Sequence, residues 1–78
     1  MREIEIGAIY RHFKGNLYKV VDVVLNSEDD TKKIVIYEAL YGEHLKWGRD
    51  LDMFLSEVDK SKYKDVNQKY RFEKVEGK

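Results

Sequence analysis

Neither cysteine nor proline occurs in this 78-residue chain, and the two absences bound what it can be. Without cysteine there is no disulfide framework, no thiolate metal site and no thiol nucleophile. That fits a reducing compartment, and a cytoplasmic location is expected. Without proline, every turn falls to Gly, Asn, Asp and Ser. Excess charge is also missing: 15 basic and 15 acidic side chains cancel, whereas a dedicated nucleic-acid binder carries a basic surplus. No apolar run approaches the roughly 20 residues of a membrane helix. Met1-Arg2-Glu3-Ile4-Glu5-Ile6 alternates charge with isoleucine and lacks the apolar stretch of a signal peptide, so no membrane partner is expected.

What is present is a small domain rich in rings. Apolar residues make up 42% of the chain and aromatics 13%, enough for one thin core, since a chain of this size buries only roughly 60% of its unfolded surface. A buried substrate chamber does not fit in it. Any site is a groove or shallow pocket on the surface.

The pattern along the chain is mostly of period two. A first strand is expected from about Ile4 to Phe13, with Ile9, Arg11 and Phe13 on one face and Ala8, Tyr10 and His12 on the other. Lys14-Gly15-Asn16 signals a hairpin. Leu17 to Leu25, with its four valines, reads as a strand covered on much of both faces. Asn26 to Asp30 is a polar turn, and Lys32 to Tyr41 a third strand with Ile34, Ile36 and Leu40 opposite Val35, Tyr37, Ala39 and Tyr41. After Gly42-Glu43-His44, a short fourth strand spans Leu45 to Arg49. Asp50 is placed to cap a helix whose apolar stripe is Leu51, Phe54, Leu55 and Val58. Residues 59–68 are polar loop, and Lys69 to Val75 is the last strand. The expected fold is mainly β: a five-stranded antiparallel SH3-like barrel, or a strongly curled sheet, with one short helix before the last strand. It is one domain over residues 1–78, with 1–6 as a lead-in and 76–78 as a flexible tail. Closing or curling the sheet hides edges that so short a chain cannot otherwise cover.

Gly7-x-x-Tyr10-Arg11-His12-Phe13-Lys14-Gly15-x-x-Tyr18-x-Val20 resembles the opening signature of bacterial domain-of-unknown-function family 1653. Ser27-Glu28, Tyr37-x-x-Leu40-Tyr41-Gly42, Trp47-x-Arg49 and Met53-Phe54 follow in that family's order, and Arg71-Phe72 is similar to its closing pair. The chain departs from the pattern at Asp50 and Tyr70, where the family commonly has proline, and at Gly48, where it has an apolar residue. The resemblance implies a small β domain and a set of positions, and no activity.

Tyr10, Arg11, His12, Tyr18, Tyr37, Tyr41, Trp47 and Arg49 interleave rings with cations. Such a set either lines a shallow recognition pocket or fills and seals a small core. Strand alternation forbids all eight from sharing a face. Tyr10, His12, Tyr37, Tyr41, Trp47 and Arg49 are the candidate ligand-binding patch. No catalytic residue is assigned. His12 as a general base lacks a cysteine to activate, and Ser27, Ser56 and Ser61 lie outside any nucleophile-elbow pattern. No metal ligand set or cofactor motif is read: Ser27 to Thr31 lacks the EF-hand spacing, and two isolated histidines do not make a site. The expected activity is non-enzymatic binding of a protein segment or small ligand. The alternative is binding of RNA or single-stranded nucleic acid through the same rings, assisted by Lys14, Lys46 and Arg49. A small enzyme using His12 is the third reading.

Overall fold

Side-chain and glycine chemistry at two tight hairpins sets the register of the sheet. In the computed structural model, which describes residues 3–75, β1 (Ile9–His12) turns through Phe13-Lys14-Gly15-Asn16 into β2 (Leu17–Asn26). Gly15, at φ 108°, donates its N–H to the His12 carbonyl at 2.7 Å. An L side chain rarely adopts that backbone, so glycine is required there. The second hairpin is tighter than the sequence pattern indicated. Only Ser27 and Glu28 form its turn, because the Asn26 carboxamide accepts the Glu28 N–H at 2.7 Å and lets Asn26 pair directly with Asp29. β3 (Asp29–Ala39) therefore begins three residues before the expected Lys32.

The chain continues into β4 (Lys46–Asp50), the one-turn helix α1 (Leu51–Phe54) and β5 (Phe72–Lys74). All five strands join one antiparallel sheet in the order β4-β3-β2-β1-β5. The sheet does not close, since β4 and β5 are not paired. It curls strongly. Laid flat at the ~4.8 Å spacing of paired strands, β4 and β5 would stand about 19 Å apart. Instead the Arg49 guanidinium of β4 lies 5.7 Å from the Phe72 ring centroid of β5. Val21 contributes to the bend: Val20 pairs with Tyr37 and Asp22 with Ile36, so Val21 is an extra residue in the ladder. Of the two expected architectures, the curled sheet is the one observed.

The concave face holds the core. Tyr10, Val20, Val35, Tyr37, Ala39, Phe54, Val58 and Phe72 are buried, and Phe54 and Phe72 stack at 4.0 Å with planes 5° apart. Tyr10 and Tyr37 meet the Phe54 ring edge-on at 5.4 and 5.3 Å. Each fully buried ring contributes on the order of 2–3 kcal/mol by removal from water. The expected division of β3 holds: Val35, Tyr37 and Ala39 point inward and Ile34 and Ile36 lie on the other face.

Several expectations are corrected. β1 starts at Ile9 rather than Ile4, because Gly7 (φ 91°) sits in a turn in which the Ala8 N–H reaches the Glu5 carbonyl. The valines of β2 are covered on one face only: Val20 is buried, while Val21 and Val24 are exposed. The helix stops after one turn instead of running to Val58. Ser56 and Val58 are drawn into extended pairing with residues 69–71, through Arg71 N–H to the Ser56 carbonyl and Val58 N–H to the Lys69 carbonyl, both 2.9 Å. Tyr70 consequently bridges Glu57, and β5 shortens to three residues. Asp50 stands at the N-cap position without a side-chain capping bond. Phe13 is half-buried against Tyr63 and His12, outside the central cluster. The tail at 76–78, like Met1 and Arg2 of the lead-in, lies outside the described residues.

Candidate functional site

α1 and the segment before β1 cover one part of the concave face and leave another part open. The open part lies over β2, β3 and β4. Tyr18 points inward from β2, Tyr37 from β3, and Trp47 and Arg49 from β4, with Tyr37 directly paired with Trp47. Tyr41 follows the end of β3 and folds back over them. These five residues line a cleft of about 240 Å³. That is below the roughly 300–1,000 Å³ of pockets that enclose a whole drug-sized ligand or cofactor. It suits one ring or one side chain.

Edge-to-face contacts fix the walls. The Tyr18 ring stands 5.3 Å from Tyr37, 5.7 Å from Tyr41 and 5.7 Å from Phe72, with interplanar angles of 77°, 81° and 77°. The hydroxyls of Tyr18 and Tyr41 are hydrogen-bonded at 2.8 Å. Burial and that bond push the Tyr18 phenol up to about 12, so it stays neutral. Arg49 Nε donates to the Tyr37 hydroxyl at 3.2 Å while the guanidinium lies over Phe72. Two contacts thus hold the cation in place. Its two terminal nitrogens make no hydrogen bond or ion pair among the described residues. Trp47 and Tyr41 are 49% and 45% exposed, and form the open lip.

The structure gathers Tyr37, Tyr41, Trp47 and Arg49 of the expected patch in this cleft. His12 stands beside it, 6.4 Å from Tyr18 and 4.9 Å from Phe72 between ring centroids. Its Nδ1 accepts the Lys14 N–H at 3.1 Å, leaving the other ring nitrogen as the protonated one. Burial, reinforced by the charges of Arg49, Lys14 and Arg71, holds its pKa down at about 4, so the ring is neutral at neutral pH. Tyr10 does not join the cleft. It is 2% exposed beneath α1, and its hydroxyl accepts the Glu5 N–H at 3.0 Å. It borders a different hollow of about 620 Å³, with Glu3, Ile4, Glu5, Tyr70, Glu73 and Lys74. The polar walls of that hollow are engaged with one another: Glu5 pairs with Lys74, and the Glu73 carboxylate accepts the N–H groups of Lys69 and Tyr70.

Tyr18, outside the expected patch, is the central wall of the cleft. The register of the first hairpin places it opposite Tyr10, on the face that carries the cleft. Once the hairpin is fixed, that register is the signal that finds it.

The other motifs have local roles. The Asp29 Oδ1 accepts from both the Thr31 N–H and hydroxyl at the start of β3, which lowers its pKa. No group of three or more His, Asp or Glu side chains is placed to hold a metal ion among the described residues. His44 sits in a turn at φ 57° with Nδ1 3.5 Å from the Glu38 carboxylate. No helix among the described residues is long and apolar enough to cross a membrane.

Comparison with known proteins gives a match to curated proteins in no case and to solved structures in no case. The family model described as Protein of unknown function (DUF1653) matches residues 8–74, from the opening aromatic block through the closing Arg71-Phe72, and the chain belongs to that family.

Proposed function

We propose that this protein is a non-enzymatic binding module whose aromatic cleft seats one planar or apolar group of a protein segment or small ligand, with Arg49 pairing to an adjacent carboxylate. The observation that carries this reading is Arg49 itself. Tyr37 and Phe72 hold it, and among the described residues its terminal donors are unused and no carboxylate pairs with it. A preoriented guanidinium next to half-exposed rings is a receptor for a bidentate anion attached to an apolar body. His12 is poorly suited to general-base work: its lowered pKa makes it a weak base, its Nδ1 lone pair is taken by the Lys14 N–H, and no carboxylate among the described residues is in contact with it.

Two finer readings belong to the same proposal. The order β4-β3-β2-β1-β5 with a helical turn ahead of the last strand is that of an SH3-like barrel, and we class the fold as one left open between β4 and β5. The absence of cysteine supports a cytoplasmic setting.

Trp47, the single tryptophan, reports on the cleft directly. The protein is titrated with peptides ending in an aromatic residue and a free carboxylate, and with short RNA and DNA oligomers across a salt series. Tryptophan fluorescence and amide chemical shifts are read together. The expected result is a shift confined to Tyr18, Tyr37, Tyr41, Trp47 and Arg49 with the peptides, lost in Tyr41→Ala and Arg49→Gln. Binding of oligomers instead, falling steeply with salt, would establish the nucleic-acid alternative. Shifts elsewhere, or none with any probe, refute the cleft as the site.

A further inference from the structure

β4 is a terminal strand of the sheet, so half of its backbone groups face away from β3. Ala39 donates to the Leu45 carbonyl at 2.9 Å, which marks that pair as hydrogen-bonded. Alternation along an antiparallel ladder then turns the backbone groups of Trp47 and Arg49 toward β3, and turns outward the N–H and C=O groups of Lys46 and Gly48 and the N–H of Asp50, whose C=O starts α1 as its N-cap. Lys46 and Gly48 are exposed. The strand contains no proline and no bulge, two of the devices that block pairing at an edge.

The strand is also complementary to itself. Read antiparallel about Gly48, Lys46-Trp47-Gly48-Arg49-Asp50 sets Lys46 against Asp50 of the second copy, Gly48 against Gly48, and Trp47 against Arg49. We infer that β4 is a homodimer edge, joining two copies of this chain into one continuous antiparallel sheet with the two-fold axis at Gly48. Three features select that register and that occupant. It is the register that sets each outward-facing residue against its counterpart, with Gly48 against Gly48 on the axis as a hydrogen-bonded pair. It places two ion pairs on the outer face, between Lys46 and Asp50 side chains that make no ion pair within their own chain among the described residues. On the concave face it sets each Trp47 directly opposite the partner copy's Arg49, as a close cross-strand pair. A parallel pairing would oppose like charges at both ends of the strand. Gly48 completes the fit. A Cβ there would come within 3.3 Å of Ile34 Cγ2 and 3.5 Å of Ile36 Cδ1, so its absence lets both isoleucines lie across β4 and reach the edge. This inference is independent of the ligand proposed for the cleft, although the dimer would join two clefts across the axis.

Sedimentation equilibrium on the full chain up to millimolar concentration tests it, with Lys46→Asp and the double variant Lys46→Asp/Asp50→Lys as partners. Asp50 makes no capping bond, so its exchange removes none. The expected result is a monomer–dimer equilibrium, weakened about tenfold or more by Lys46→Asp, because the two-fold axis doubles each repulsive contact. The double variant restores it. In a sample mixing labelled and unlabelled chains, an isotope-filtered Overhauser contact links the Trp47 Hα of one copy to the Arg49 Hα of the other, as expected for a close, non-hydrogen-bonded pair. A chain that stays monomeric throughout overturns the inference. So does a dimer indifferent to Lys46→Asp, one not restored by the double exchange, or one lacking the interchain contact.

Discussion

Acidification places a measurable load on His12. The ring is held neutral in the folded chain down to about pH 4, by burial first and then by Arg49, Lys14 and Arg71, whereas its ordinary pKa is 6.5. Between those values the unfolded chain binds a proton that the folded chain does not. Folding stability therefore falls as pH drops through this window and is constant above it with respect to this group. The gap corresponds to about 3 kcal/mol at roughly 1.4 kcal/mol per pH unit. His12 is only partly buried, and solvent screening reduces the expected loss to about 1.5 kcal/mol. Urea unfolding followed by Trp47 fluorescence, at neutral pH and at about pH 4.5, measures it. His12→Asn is the comparison, since its carboxamide oxygen can still accept the Lys14 N–H. Carboxylates whose titration is shared by both proteins, including the lowered Asp29 and Asp59, cancel in the difference. Wild type is expected to lose about 1.5 kcal/mol more than the variant on acidification. Parallel pH profiles, or a His12 ring-proton NMR titration with its midpoint near 6.5, would refute the reasoning.

Two further outcomes test the scaffold. Phe54→Ala empties the centre of the ring cluster, where Phe54 is fully buried and stacked on Phe72, and costs about 3–5 kcal/mol. In a domain this small that leaves the chain largely unfolded by circular dichroism at ambient temperature, and a cooperative melt within a few degrees of wild type would contradict the packing described. Gly15→Ala meets no neighbouring atom within 4 Å, so its whole effect is the backbone at φ 108°. It is expected to destabilise by about 1–2 kcal/mol in thermal melts with no change in the folded-state spectrum.

The order of elements, the inward face of β3 and the presence of a short helix before the last strand were legible from residue periodicity and turn residues, though not the helix's length. The failures share a cause. Helical spacing of Leu51, Phe54, Leu55 and Val58 is equally compatible with one turn followed by an extended segment, because Val58 is buried in either form. What decides is a non-local pairing of residues 56–58 with 69–71, and no local pattern contains it. The valines of β2 misled for a related reason. β-branched residues favour strands by backbone preference as well as by burial, so Val21 and Val24 occupy exposed positions without conflict.

The site was legible to the same depth. Tyr10 and Tyr18 are direct partners across the first hairpin and point to the same concave face. Alternation treats them alike, yet one is sealed in the core and the other lines the cleft. The difference lies in what crosses the face above them. Phe54 of α1 meets the Tyr10 ring, and the segment before β1 caps its hydroxyl through Glu5. Tyr18 is instead hydrogen-bonded to the hydroxyl of the exposed Tyr41, and so retains an opening. A recognition surface on a curled sheet is therefore the part of the concave face that later segments fail to cover. Its boundary is set by where α1 stops, after Phe54, and by the pairing that pulls the chain from Ser56 onward toward β5 rather than across Trp47.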